Sequence, residues 1–337
     1  MPPRRPSSAR RRAVRRTLPL LAVLVAGCRI SAEREVDVYS TRMPDDAEPV
    51  IAAFVRTSGL PVRAAYASDA YEEGARHRDS TGTFQAAVPP DVTWSDDPAQ
   101  LLDLAARGLV PDAQRLAAQP EPGSSWRVVG ERVQVLYVRR GATDDTPLPT
   151  SVRDLGRREW AGQVAIADPR SGPTAVHLGV LSQVWGDGQV RALLAGLRSN
   201  DVRIVDSDRR VRDLVASGTV AVGLGSYDPA DGPLPPGVVA VVPDSADVGV
   251  LVVPTVAVLH ATGRNPEGGR RFLEFLGAAR ARHAGTLAGG MPGASAHRST
   301  VALRDAAMAS RRLGPWLDGW VRGSPATAGA VLLGARD

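Results

Sequence analysis

Short valine-rich runs alternate with amphipathic segments of helical length along this chain, and that alternation predicts an α/β protein with mostly parallel sheets and helices on both faces. A second observation concerns size. Removing the first 27 of the 337 residues leaves 310, enough for two lobes with a core each. A third is punctuation, because the strand-like runs are followed by Ser, Thr, Asp or Gly.

Taken in order, Val36–Tyr39 reads as a strand, and Asp45–Ser58 as a helix with Val50, Ile51, Phe54 and Val55 on its apolar face. Pro61–Tyr66 and Asp91–Trp94 are the next strands, with a helix around Pro98–Ala106. Between them, 74–90 is polar and weakly periodic, which suits a loop or irregular helix. Gln134–Val138 is a fourth strand, and Pro147–Leu155 leads to a further element. Val164–Ala167 is a strand followed by helices over Ala175–Trp185 and Gln189–Asn200. Val202–Val205 is a strand with the helix Asp208–Ser217 behind it. Val220–Leu224 and Val238–Val242 are strands, and Val248–Leu259 is too rich in β-branched residues for a comfortable helix. Helices over Pro266–Gly277 and Thr300–Leu313 follow. Pro120–Ser125 and Asp228–Pro236 are Pro/Gly-rich loops.

The N-terminus reads as a leader. Seven arginines precede the apolar run Leu18–Gly27, which is too short to span a bilayer and ends at Cys28, the chain's one cysteine. The run Val25-Ala26-Gly27-Cys28 resembles the lipobox of bacterial lipoproteins, so residues 1–27 are expected to be removed, Cys28 acylated, and 28–35 to act as a tether. Those seven arginines also account for the apparent basicity of the chain. Past Cys28, 34 basic residues face 36 acidic ones, no basic stripe is interleaved with aromatics, and nucleic acid is excluded as a partner.

Polar residues gather after the strands. Val38-Tyr39 runs into Ser40, Thr41 and Arg42; Thr93-Trp94 into Ser95 and Asp96; Ile166-Ala167 into Asp168–Thr174, with Ser171, Gly172 and Thr174; Ile204-Val205 into Asp206, Ser207 and Asp208; Gly223-Leu224 into Gly225, Ser226, Tyr227 and Asp228. In open α/β sheets, ligands sit outside the carboxyl ends of the strands, and helix N-termini there favour anions. Helix capping explains each junction separately. It does not explain Gly225-Ser226-Tyr227-Asp228-Pro229. No catalytic constellation emerges: the five histidines are scattered, His177 reads as packing or surface, and no nucleophile elbow or Gly-Lys-Ser/Thr phosphate loop is present. An enzyme is not expected.

The segments Trp160–Pro169, Ser171–Ala175, Val202–Ser207, Gly218–Leu224, Val253–Leu259 and Asn265–Leu276, with Met291-Pro292 downstream, resemble the iron-type extracellular solute-binding proteins of bacterial ABC importers. The resemblance covers about Val36 to Pro292. It implies a two-lobed periplasmic-binding-protein type II fold with a hinged cleft. One lobe would comprise 36–130 plus 250–290 and the other 139–245 plus 291–337, with hinge strands near 133–138 and 248–258. It further implies a lipid-anchored binding subunit, exported to the periplasm or the outer face of the cell membrane, that delivers a ferric species or small anion to a permease and its ATPase. The alternative is a lipoprotein that presents its ligand to a membrane signalling receptor. The family's iron ligands would fall on Asp96, Tyr227 and Asp228 if the cargo is Fe(III), while Thr41-Arg42 stands where a ligating histidine would, and the charge of Arg42 suits an anionic ligand. No cofactor is implied.

Overall fold

The computed structural model describes residues 35–66, 89–97, 100, 102, 106, 123–141, 147–228, 232–283, 298–301 and 303–323. Cys28 and its leader, the 74–88 stretch and most of the helix expected over 98–106 lie outside the described residues. The strands are β1 (Val36–Ser40), β2 (Val62–Tyr66), β3 (Val92–Ser95), β4 (Trp126–Arg139), β5 (Val164–Ala167), β6 (Arg203–Val205), β7 (Val222–Tyr227), β8 (Val238–Val241) and β9 (Val252–Leu259). The helices are α1 (Pro44–Ser58), α2 (Gly172–Trp185), α3 (Asp187–Ser199), α4 (Asp208–Ser217), α5 (Pro266–His283) and α6 (Leu303–Arg322). Two short 3-10 turns precede β5.

The strand order is β2-β1-β3-β9-β4-β7-β5-β6, with β8 also paired to β4. The expected parallel pairing holds for β1 with β2 and β3, and for β5 with β6 and β7. Every antiparallel pairing involves β4 or β9. These two strands cross between the lobes: Trp126 to Val133 of β4 pair with β9, and Val133 to Arg139 pair with β7 and β8. A bulge between Val128 and Gly130 bends β4 at the crossing. The strand thus begins eight residues before the Gln134 start that apolar pattern indicates. Gly130, Glu131 and Arg132 hide the rest.

Each lobe has its own core, as its amphipathic faces require. In the first, Ala47, Ile51 and Phe54 of α1 point at β1, β3 and α5, where Phe54 meets Phe272 edge-on at 5.0 Å. α1 opens on Pro44 with Asp45 and Asp46 in its first turn, where a missing N–H is harmless and negative charge is favoured, and it closes on Gly59 at φ 70°. The second lobe packs β4, β5 and β7 between α4 on one face and α2 on the other. α2 is buried on nearly all sides because α6 covers its outer face; α6 runs on through Pro315 to Arg322, beyond the expected end at Leu313. Small residues set this approach, since a Cβ on Gly179 would collide with the Ala306 carbonyl of α6.

Gly179→Ala should therefore push α6 off α2. Overpacking of about 1–3 kcal/mol is expected, read as a fall in Tm of roughly 2–12 °C by calorimetry. His177, inside α2, is 2% exposed with no hydrogen-bond partner for Nδ1 among the described residues, and burial lowers its pKa to about 4. The unfolded chain takes up this proton near the ordinary value of 6.5 and the folded chain only near 4, so stability falls as pH drops through that window. His260, whose Nε2 lies 2.7 Å from Thr93 Oγ1, acts in the same direction. The loss of Tm between pH 7 and pH 4.5 should be smaller in His177→Leu than in the parent.

Candidate functional site

The carboxyl ends of β1 and β3 meet in the first lobe. Ser40 is buried and its Oγ accepts from the Arg42 amide at 3.1 Å. Thr41 Oγ1 donates to Asp96 Oδ1 at 2.8 Å and accepts from the Asp96 amide at 3.1 Å, with Ser95 Oγ 3.3 Å away. Ser95 Oγ accepts from the Asp97 amide and faces Gln100 Oε1 at 3.1 Å. The Arg42 guanidinium lies over the Trp94 ring, 5.3 Å from its centroid, and the residue is 9% exposed. The structure thus brings Ser40, Thr41, Arg42, Ser95 and Asp96 into one polar cluster.

The second lobe contributes two helix N-termini. At α4, Ser207 caps the helix, its Oγ accepting from the Arg210 amide at 3.2 Å. Asp208 follows, its Oδ2 accepting from Ser226 Oγ at 2.5 Å, and Ser226 Oγ in turn accepts from Arg132 Nε at 2.8 Å. Asp208 keeps some exposure as a residue, yet its Oδ1 is closed off from solvent and has no hydrogen-bond partner among the described residues. Burial pushes the Asp208 carboxyl above the usual carboxylate range, Arg132 and the Ser226 hydroxyl pull against that rise, and Asp96 of the first lobe adds to it. Gly225 is a strand residue and not part of a turn: a side chain there would press on Asp208 and the Tyr137 ring. At α2, Ser171 occupies the cap position but its side chain makes no capping bond, and Gly172 takes φ 64°. Thr174 is buried in the first turn.

Tyr227 and Asp228 lie at the far end of β7. The Tyr227 hydroxyl donates to the Gly232 carbonyl at 3.1 Å, and Asp228 Oδ2 packs where a Cβ on Gly130 would sit, 3.2 Å away, at the crossing of β4. Asp96, Tyr227 and Asp228 are thus each engaged with different neighbours. Among the described residues no group of three or more His, Cys, Asp or Glu is arranged to hold a metal ion.

Two features join the lobes across the cleft. Arg209, next to Asp208, reaches Asp46 in the first turn of α1, with Nε and Nη2 at 2.9 and 2.5 Å from Oδ1. A cavity of about 220 Å³ is lined by Asp97 of the first lobe and by Arg170 and Ser171 of the second. Arg132 and the Asp46–Arg209 pair were not anticipated from the sequence, whereas Asp208 and Ser226 were read only as members of the polar runs that follow the strands. The one available signal was a charge beside the apolar run, Arg132 immediately before Val133.

A two-lobed α/β molecule with crossing strands and a polar cleft defines a class, the ligand-capturing binding proteins. The family model for bacterial extracellular solute-binding proteins matches residues 39–289, and the chain belongs to that family. Among solved structures, iron-bound HitA from Pseudomonas aeruginosa is 20% identical with a TM-score of 0.63, over 84% of this chain and 99% of that one. The substrate-binding protein of an ABC transporter from Agrobacterium tumefaciens is 17% identical with a TM-score of 0.62, over 86% and 96%. The Trichodesmium protein IdiA (FutA), in complex with iron and citrate, is 17% identical with a TM-score of 0.57, over 86% and 99%. At these identities the structures establish the two-lobed fold. No curated protein sequence matches the chain.

The Asp46–Arg209 pair should favour the closed arrangement of the lobes. Partly exposed pairs contribute about 0.2–1 kcal/mol, so Arg209→Ala should shift the open–closed ratio toward open by a factor of about 1.4–5. Asp46→Arg combined with Arg209→Asp should restore it. Fluorescence transfer between dyes on the two lobes, or the radius of gyration in solution, reads the shift.

Proposed function

We propose that this protein is the substrate-binding subunit of an ABC importer, anchored by lipid at Cys28, and that it closes its lobes on a small anionic ligand for delivery to a permease and ATPase. The observation that carries this reading is the cavity between the lobes, with Asp97 on one wall and Ser171 on the other. A ligand placed there touches both lobes, so it binds the closed state more tightly than the open one, which is the condition for ligand-driven closure. Support for an anion comes from the N-terminus of α2, where the Ser171 hydroxyl is not used for capping, and from Arg42 beside the cluster of the first lobe. Thr41 and Asp96, next to Asp97, would orient the ligand's polar groups, with Gly172 beside it in the second lobe, while the buried Ser40, Ser95 and Thr174 would support these residues from behind.

A ferric complex of an organic anion is the second reading. It is favoured by the placement of Asp96 and Asp208 on opposite sides of the cleft, where the charge of Asp96 helps to hold the Asp208 carboxyl above the usual carboxylate range and a hard cation would relieve it. Tyr227 and Asp228 would have to leave their present partners to join such a site.

Thermal unfolding of the purified protein should shift upward with citrate, phosphate or ferric citrate. Stabilisation of about 2.7 kcal/mol is expected at a hundredfold excess over Kd. Arg42→Ala should abolish the shift for the anions. A shift confined to ferric citrate and lost in Tyr227→Phe selects the ferric reading, and no shift with any of the three refutes both.

A further inference from the structure

At Gly130 the crossing strand touches both lobes at once. The bulge in β4 sets Gly130 opposite Thr255 of β9, whose neighbour Val256 pairs with Ser95 in the first lobe. From the second lobe comes Asp228, the residue after the end of β7. A Cβ on Gly130 would lie 3.2 Å from Asp228 Oδ2 and 3.3 Å from both Cβ and Oγ1 of Thr255. Gly130 does not take a positive φ, so glycine serves here for space and not for backbone freedom. Asp228 and Thr255 are both buried by this approach.

The same face of β4 carries polar atoms that the fold leaves unpaired. Thr255 Oγ1 is closed off from solvent and has no hydrogen-bond partner among the described residues. Four residues beyond Gly130, and on its side of the strand by the alternation of the pleat, Gln134 is 1% exposed. Neither Oε1 nor Nε2 of its carboxamide has a partner among the described residues. Ser226 stands opposite Gln134 in the ladder, but its hydroxyl donates to Asp208 and accepts from Arg132. Polar groups sealed in this way are unfavourable, and contact with water relieves them. An apolar side chain at either position would remove the conflict, and Val133, Val135, Val253 and Val256 show that both strands accept such residues.

We propose that the crossing is a built-in bias against closure of the empty protein: closing the lobes seals Gln134 and Thr255 from water, and Gly130 is the gap into which Asp228 and Thr255 move when the lobes do close. The Asp46–Arg209 pair acts in the opposite sense from the rim of the cleft. The balance between the two sets how much differential affinity a cargo must supply to populate the closed form. The inference concerns the protein without cargo, so it does not depend on what the cargo is.

Fluorescence transfer between a dye on α1 and a dye on α3, with no ligand added, tests the proposal, and the radius of gyration in solution checks it. Thr255→Val and Gln134→Met should each move the open–closed ratio toward closed by about fivefold or more. Thr255→Ser keeps the hydroxyl and should hold the parent's ratio. Gly130→Ala crowds the gap and should move the ratio toward open by about fivefold or more. If Gly130→Ala does not fold, the Thr255 pair and Gln134→Met still decide the matter. The proposal is overturned if Thr255→Val and Gln134→Met keep the parent's ratio while Arg209→Ala changes it, because the lobes then move without the crossing setting their balance. It is equally overturned if either variant opens the protein, or if Thr255→Ser shifts the ratio as far as Thr255→Val. A ratio that no variant changes, Arg209→Ala included, refutes both the bias and the interlobe latch.

Discussion

The crossing of β4 and β9 is the constraint from which the rest of the structure follows. One strand must leave the sheet of the first lobe and enter that of the second without a break, so β4 exchanges partners at Val133. The crossing is not lined by apolar side chains alone. Gln134 and Thr255 are buried there, and their side-chain polar atoms find no hydrogen-bond partners among the described residues. Groups of this kind cost about 1–3 kcal/mol each when left unsatisfied, far more than a valine in their place. Natural chains break the rule of polar satisfaction mainly where function demands it. Here it is broken on the two strands that cross between the lobes.

The crossing is also connected to the cleft by side chains. Arg132 of β4 donates to Ser226 of β7, Ser226 donates to Asp208, and the next residue, Arg209, holds Asp46 in the opposite lobe. Together these contacts tie the crossing strand β4 to the second lobe and the second lobe to the first. Arg132 belongs to the stretch of β4 that pairs with β9, whereas Ser226 and Asp208 belong to the second lobe. The Asp208 carboxylate is thus linked to the crossing through Ser226 and Arg132. Its burial beside Gly225, with one oxygen unpartnered among the described residues, is tolerated because Arg132 of β4 offsets the charge.

Much of this was legible in the chain, and the failures have physical causes. α4 is found where the sequence places it because Ser207 and Gly218 bracket an amphipathic run with Val211 and Val215 inward. β5 is legible because both its faces are covered and it reads as an unbroken apolar run. The first half of β4 is hidden by Gly130, Glu131 and Arg132, residues chosen for the crossing and not for a pleated surface. β7 extends through Gly225 although glycine reads as a break, because Tyr137 and Asp208 leave no room for a Cβ. Residues of the first-lobe cluster lie at strand ends, where the rule for open sheets locates ligands, and they do come together. Partners such as Asp46 and Arg209, 163 positions apart, depend on how the lobes close, which no local pattern encodes.

The two helix N-termini of the second lobe show how similar sequence can carry different roles. Asp206-Ser207-Asp208 and Arg170-Ser171-Gly172 each put a serine at the cap position after a strand. At α4 the cap is satisfied, and the first-turn Asp208 supplies the negative charge that the helix end favours. At α2 the position after the cap is glycine and the next is proline, so no acidic side chain occupies the first turn and the serine hydroxyl stays free of the backbone. One helix end is thus neutralised by its own residues, and the other has no acidic residue in its first turn and no side-chain cap. That second end is the one facing the cavity between the lobes.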